Sequence, residues 1–174
     1  MRGPLTRRQL SSEDDLPLGD PGLLCKLLLN NKDVKPAHAV GIIPHIADFH
    51  DPQVVELANR IPNSIIVNLA CPDTTKTTAM IAGCESVVSS SLHGLIAADS
   101  FGIPRLRMRI SNRIEGEDHK FNDFDLSVGL STSIALDPKL LNGKNLQFHL
   151  MKPDDAIVSK LKRDLLTAFT RIGL

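Results

Sequence analysis

A histidine in a serine-rich turn is the residue of this chain best placed to move a proton. His93 follows two valines typical of a buried strand and stands at the start of a segment, residues 92–101, with the apolar spacing of a helix. Three side chains before it, Ser89, Ser90 and Ser91, can accept from the unpaired N–H groups of a helix start. A strand-to-helix turn of a parallel sheet lies at the carboxyl edge, where open α/β sheets bind ligands. We therefore expect His93 to lie beside N–H groups that hold an anion and to act as a general acid or base.

A second group of side chains with reactive chemistry follows another predicted strand. His45 and Asp48 lie in the sequence PHIAD, directly after residues 37–43. Their position at a strand end predicts that they face the same sheet edge as His93, where His45 could bind a substrate oxygen or a phosphate. The alternative is an ordinary loop at a strand exit. With His50, three side chains of types that can bind a metal lie in this segment. Two histidines five residues apart on a loop do not define a coordination geometry, so no metal site is predicted.

Arginines supply the positive charge that an anionic substrate needs. Arg105, Arg107 and Arg109 alternate with apolar residues, which places the three guanidinium groups on one strand face. The usual interpretation is a solvated or interface face, and the alternative is a positive lining that attracts an anionic substrate. Arg113, in the following loop, is better placed at the sheet edge and can bind carboxylate or phosphate with two hydrogen bonds.

The elements that must position these residues alternate between strand and helix. Strands are predicted at residues 37–43, 64–69, 86–89 and 105–110, with helices at 52–60, 73–83 and 92–101 between them. This order predicts right-handed crossovers and a Rossmann-like α/β fold, a parallel sheet of about five strands with flanking helices. Residues 111–150 are expected to be rich in loops around a short helix at 121–128. Apolar residues four apart predict an amphipathic helix at 154–172.

Composition excludes several functional classes. Lys plus Arg and Asp plus Glu number 20 each, which gives no global electrostatic case for nucleic-acid binding. No apolar run is long enough to span a membrane. The three cysteines are odd in number and lack paired metal-ligand spacing, which favours free thiols in a reducing compartment and hence a cytoplasmic protein.

Five segments, in order along the chain, resemble the polysaccharide pyruvyl transferase family, particularly its exopolysaccharide branch. They are MRGPLTRRQL (1–10), LGDPGLL (18–24), GIIPHIADFHD (41–51), the SSSLHG turn with its GIP exit, and HKFNDFDLSVG (119–129). Many members have an arginine immediately before the Leu-His-Gly. Ser91 stands there in this chain, as in the exopolysaccharide branch, which removes one ligand for a phosphate.

The resemblance implies a reaction and a set of site residues. The reaction is transfer of a pyruvyl group from phosphoenolpyruvate to two hydroxyls of a sugar, forming a cyclic ketal in exopolysaccharide biosynthesis. His93 is then the catalytic residue, and the substrate is bound by His45, Ser90, Ser91, Gly94, Arg113 and Lys120. Side chains supply the cations, so no metal or other cofactor is required. The implied partners are phosphoenolpyruvate and a glycan or lipid-linked sugar acceptor, and self-association into a homo-oligomer is left open.

The resemblance also suggests a domain organisation. Full-length members resemble two-domain GT-B-like proteins with a cleft between two Rossmann-like halves. Residues 1–36 then correspond to the end of a preceding domain and the crossing segment, and residues 37–174 to the second domain. Two alternatives remain at this stage: half of a GT-B-like glycosyltransferase that uses a nucleotide sugar, and a non-catalytic remnant or partner-binding module.

Overall fold

A four-stranded parallel sheet forms the centre of the molecule. The computed structural model describes residues 1–10, 17–30, 33–113 and 117–171. The strands are β1 (His38–Ile43), β2 (Ser64–Ile66), β3 (Cys84–Ser89) and β4 (Arg105–Arg107), in the order β2-β1-β3-β4. The predicted Rossmann-like α/β class is confirmed. The described residues contain one strand fewer than the expected five.

Six α-helices accompany the sheet in the described part of the chain. They are α1 (Pro4–Gln9), α2 (Pro52–Arg60), α3 (Thr74–Ala82), α4 (Leu92–Phe101), α5 (Glu117–Ser127) and α6 (Asp155–Arg171). Short 3-10 helices lie at Pro21–Leu29, Ile46–Asp48, Pro138–Leu140 and Leu146–Phe148. Asp51 and Asp73 cap α2 and α3, because their side chains accept from backbone N–H groups of the first turn.

Several boundaries differ from the sequence prediction. Strands β2 and β4 end three residues early, and after β4 the chain keeps only an isolated bridge between Met108 and Leu136. Helix α5 begins at Glu117 rather than at 121, so the HKFNDF segment is helical and not part of a loop. The predicted end of the last helix at residue 172 lies outside the described residues.

Helices cover both faces of the sheet. Val88 and Leu106 pack on one face against Val54 and Leu57 of α2. Val87 points to the opposite face, which α3 and α4 cover. Leu23 is fully buried in a third cluster, in which α4, α5 and α6 also take part. A residue from the segment before position 37 therefore contributes to the core, while the proposed division at 36 stays a prediction.

The arginine face of β4 is not solvated as the alternation suggested. Arg105 and Arg107 are 1% and 3% exposed, and only Arg109, beyond the strand, is partly open to solvent. Arg105 pairs with Asp99 and Asp125, and the Arg107 guanidinium lies 3.9 Å from the centre of the Phe121 ring. The alternation of arginine and apolar residues correctly predicted a face of arginines. Helices α4 and α5 cover that face, however, and supply its acidic partners.

None of the helices within the described ranges has the length and apolar character that a membrane crossing requires.

Candidate functional site

The strand order reverses between β1 and β3, which makes this pair the switch point of the sheet. The chain passes from β1 out to β2 and then returns across β1 to β3. The carboxyl ends of strands at such a switch point form the usual ligand crevice of open α/β sheets. His45 follows β1 here, and Ser90, Ser91 and His93 follow β3. The fold therefore brings these two groups of predicted site residues to one edge.

Hydrogen bonds connect the two loops directly. The backbone N–H of His45 donates to the Ser90 hydroxyl oxygen at 2.9 Å, and the Ser90 N–H donates to the Ile43 carbonyl at 3.2 Å. The Nδ1 atom of His45 accepts from the Ala47 N–H at 3.2 Å. Nδ1 is therefore the acceptor nitrogen of His45 in this arrangement.

Buried serines hold the turn before α4 in a fixed shape. The Ser89 hydroxyl donates to the Ile43 carbonyl at 2.7 Å and accepts from the Ser91 N–H at 3.0 Å. Ser90 and Ser91 are 1% and 4% exposed. Their side chains are therefore mostly inside the protein.

Gly94 has a packing role that the sequence did not reveal. A Cβ at this position would lie 2.4 Å from Ser89 Oγ and 2.9 Å from Ile43 Cγ2, so only glycine fits. Its N–H donates to the Ser91 carbonyl at 3.1 Å. The glycine thus contributes close packing of α4 on the sheet, and its assignment to substrate binding stays a prediction.

His93 is exposed in the first turn of α4, as predicted. Ser91 is the N-cap residue and, within the described part of the chain, its side chain makes no capping hydrogen bond. The first two helical residues, Leu92 and His93, have no helical acceptor for their N–H groups because of their position. The imidazole thus stands at the positive end of a ten-residue helix, with backbone donors beside it.

Arg113 lies over the loop that follows β1. Its guanidinium donates to the Ala47 carbonyl at 3.2 Å and to Asp51 Oδ2 at 3.3 Å, and 62% of its side chain is exposed. Ser111 secures the segment by donating to the buried Asp48 carboxylate at 2.6 Å. Asp48 therefore organises the loop, and Arg113 presents its charge at the switch-point edge.

Lys120 lies on α5, next to Phe121. Its Nζ is 5.6 Å from the centre of the Phe121 ring. Phe121 is buried, and it lines a cavity of about 40 Å³ together with Ser90, Arg107 and Ser111. The ends of β3 and β4 and the start of α5 thus meet at one point. The convergence of His45, His93, Arg113 and Lys120 on a common substrate remains a prediction.

Sequence reasoning missed an acidic residue at this edge. Asp118 accepts from both Arg107 and Arg109. The hydrogen bond from Arg107 lowers the pKa of Asp118, which is therefore ionised at neutral pH. Burial lowers the pKa of Arg107, and Asp118 opposes that shift. The sequence does contain both parts of this cluster, because Arg107 and Arg109 alternate with apolar residues and an acidic segment follows them. No rule of spacing, however, predicts that Asp118 pairs with these two arginines.

The described residues contain no group of three or more His, Cys, Asp or Glu side chains placed to hold a metal ion.

Comparison with known proteins supplies the wider context of this site. The sequence model of a family described as polysaccharide pyruvyl transferase matches residues 19–112. The uncharacterized protein L143 of Acanthamoeba polyphaga mimivirus is 31% identical over 115 residues, which are 65% of this chain and 40% of that protein. The succinoglycan biosynthesis protein ExoV of Rhizobium meliloti (strain 1021) is 24% identical over 133 residues, 75% of this chain and 40% of ExoV. No solved structure matches. The chain thus spans about 40% of the length of these curated relatives.

The matched range coincides with the sheet and its crevice. Residues 19–112 contain all four strands, His45, and the whole turn from Ser89 to Gly94. Arg113 and Lys120 lie just beyond it. The part of the candidate site around the switch point therefore lies inside the range that the family model matches.

Proposed function

The chain belongs to the polysaccharide pyruvyl transferase family, and we propose that its switch-point crevice binds phosphoenolpyruvate and transfers the pyruvyl group to a sugar as a ketal. The observation that carries this proposal is the exposed His93 at the start of α4, on a turn that lies inside the family match. We propose a glycan or lipid-linked sugar of exopolysaccharide biosynthesis as the acceptor, in keeping with the similarity to ExoV.

The reaction removes two protons from the sugar hydroxyls and adds two, one to the methylene carbon of phosphoenolpyruvate and one to the departing phosphate. The methylene carbon of phosphoenolpyruvate takes a proton, which makes the neighbouring carbon electrophilic. A sugar hydroxyl attacks that carbon and loses its proton, the carbon–oxygen bond to phosphate breaks, and a second hydroxyl closes the ketal ring as it loses its own proton. A histidine titrates near neutral pH and can serve both directions of transfer. We assign this role to His93.

The anionic groups of the donor need preorganised positive charge and N–H donors. The first-turn N–H groups of Leu92 and His93 point to the crevice end of α4, where the helix dipole favours an anion. Ser90 Oγ accepts from His45, so its own hydroxyl hydrogen remains able to donate. We propose that Arg113 and Lys120 complete the site by binding the donor's carboxylate and phosphate.

The test of this proposal is pyruvyl transfer by His93→Ala. Loss of a general acid or base should lower the rate by about 10²–10⁴-fold, because the proton transfers then fall to water. The protein is incubated with phosphoenolpyruvate and an acceptor glycan, and both phosphate release and the ketal methyl signal in the proton NMR spectrum are followed. Thermal unfolding should be unchanged, since an exposed first-turn side chain contributes little to stability.

A matched control uses another exposed histidine. His149 lies at the end of a short 3-10 helix, outside the switch-point loops, and His149→Ala should retain the wild-type rate. Equal rates for the two variants would contradict a catalytic role for His93. Saturable binding of a nucleotide sugar without binding of phosphoenolpyruvate would favour glycosyl transfer instead.

A further inference from the structure

Two arginines share one carboxylate at the end of β4. Arg107 and Arg109 both donate to Asp118 Oδ1, so two positive charges face a single negative one. Arg107 is 3% exposed, and within the described residues its Nε atom has no hydrogen-bond acceptor. Leaving a charged donor buried and unpaired costs free energy. The cluster therefore has both an excess of positive charge and an unused donor.

A polar cavity of about 200 Å³ adjoins this pair. Its walls include Arg109, Asp118, Asn122 and Ser133. Arg109 also lines the 40 Å³ cavity that Arg107 lines, so it stands where the two cavities meet. The Oδ1 atom of Asn122 is buried and, like Arg107 Nε, has no partner among the described residues. Asn122 thus lines the larger cavity and also carries a buried acceptor with no partner among the described residues.

Backbone pairing holds the cavity wall next to the arginines. The Leu136 N–H donates to the Arg107 carbonyl at 3.1 Å, and the Arg109 N–H donates to the Leu136 carbonyl at 2.9 Å. Arg107 also donates to the Ser133 carbonyl at 3.2 Å. These bonds position residues 132–135 along the edge of β4, so the larger cavity is built by the fold and does not depend on exposed side chains alone.

We propose that this cluster, the Arg107–Arg109 pocket, binds the phosphate group of a sugar phosphate, and that Asp118 occupies the phosphate position until the ligand arrives. A phosphate offers oxygens to both guanidinium groups at once, including Arg107 Nε, which a single carboxylate oxygen cannot do. The uncharged polar side chains of the wall, Asn122, Thr132 and Ser133, fit sugar hydroxyls. The sugar assignment rests on the proposed function, whereas the anion site rests on the arginine geometry alone.

The experiment measures binding and not turnover. Protein labelled with ¹⁵N in its arginine side chains is titrated with glucose 1-phosphate, inorganic phosphate and phosphoenolpyruvate, and the Nε–H signal of Arg107 is followed. Glucose 1-phosphate should shift this signal saturably and bind more tightly than the other two. Asp118→Asn should tighten binding about tenfold, because the internal competitor loses its charge, and Arg109→Gln should weaken it about tenfold or more.

Two controls separate this site from general charge effects and from the proposed reaction. Arg163→Gln removes an exposed arginine on α6, outside the pocket, and should leave binding unchanged. His93→Ala should bind glucose 1-phosphate as the wild type does, so a failure of the proposed catalysis would leave this result intact. Thermal unfolding of Arg109→Gln, whose side chain is partly exposed, checks that the variant is folded.

Three outcomes would overturn the proposal. The first is an Arg107 signal that glucose 1-phosphate does not shift in either the wild type or Asp118→Asn. The second is equal affinity of Arg109→Gln and Arg163→Gln. The third is tighter binding of phosphoenolpyruvate than of glucose 1-phosphate in an Arg109-dependent manner, which would assign the pocket to the donor.

Discussion

At the scale of single residues, Arg105 is the clearest case of a charge that the fold has enclosed. Its Nε and one terminal nitrogen donate to the two oxygens of Asp99, each at 3.0 Å, and the same terminal nitrogen donates to Asp125 at 2.7 Å. All three side chains are at most 1% exposed. Burial raises the pKa of Asp99, and Arg105 opposes that rise. Arg105 thus supplies the positive charge and the hydrogen bonds that the two buried carboxylates need.

We predict that Arg105→Met lowers the free energy of unfolding by about 3–5 kcal/mol, because it leaves buried carboxylates without a cation. Urea denaturation followed by circular dichroism measures the change. Arg109→Gln is the control: its ion pair with Asp118 is about half exposed, and such pairs contribute about 0–1 kcal/mol. A similar decrease in the free energy of unfolding for both variants would show that the buried ion pairs of Arg105 stabilise the protein no more than the exposed pair of Arg109.

The arginines also show what a local pattern can and cannot predict. The alternation in residues 105–110 predicted Arg105, Arg107 and Arg109 on one face, and all three pair with carboxylates of α5, Arg105 with Asp125 and the other two with Asp118. Whether that face meets water depends on α4 and α5, which bring Asp99 and Asp125 from 6 and 20 residues away. For His93 the local signals were sufficient, because the strand, the turn and the helix that position it are contiguous in sequence.

At the scale of elements, the turn from β3 into α4 depends on a close approach that only glycine permits. Helix propensity alone would favour alanine over glycine by about 1 kcal/mol. At Gly94, however, a methyl group would collide with Ser89 Oγ at 2.4 Å, and that oxygen is held by its bond to the Ile43 carbonyl. The steric term therefore outweighs the propensity.

We predict that Gly94→Ala destabilises the protein by about 1–3 kcal/mol, the usual cost of overfilling a packed site. The midpoint of thermal unfolding measures the effect. Gly83→Ala is the matched control, since its Cβ would come no closer than 3.4 Å to any neighbour and its φ is −82°. A stability of Gly94→Ala equal to or above that of the wild type would mean that α4 can move off the sheet without loss.

Element boundaries were predicted well where a local residue sets them. Asp51 followed by proline marks the start of α2, and Gly102, with a φ of +69°, ends α4. The start of α5 was placed four residues late, which left Lys120 in a loop. That helix has its polar residues on several sides, so apolar periodicity does not reveal it, and contacts with α1 and the third core cluster stabilise it instead.

At the scale of the whole molecule, the first and the middle parts of the chain are joined by one carboxylate. Asp123 Oδ1 accepts from the N–H groups of Leu5 at 2.7 Å and Thr6 at 3.2 Å, and Oδ2 accepts from the Thr6 hydroxyl at 2.5 Å. Gly3 is the N-cap of α1 and has no side chain to offer, so Asp123 supplies the cap from α5. The partners are 117 and 118 residues apart. A helix cap is predicted from residues that neighbour the helix in sequence, so the sequence could not predict that Asp123 caps α1.

This contact leads to a prediction for amide exchange in Asp123→Ala. A helix cap contributes about 0.5–2 kcal/mol, so the Leu5 and Thr6 amides should exchange about tenfold faster once the carboxylate is removed. Hydrogen exchange followed by NMR measures both sites in the intact chain. The control is Asp137→Ala, which removes the cap on the Lys139 N–H and should leave Leu5 and Thr6 unchanged. Because a Cβ on Gly3 would lie 1.9 Å from the Asp123 carbonyl oxygen, the two elements are also in close backbone contact. Exchange as slow as in the wild type would therefore mean that this backbone packing, and not the carboxylate, holds α1 in place.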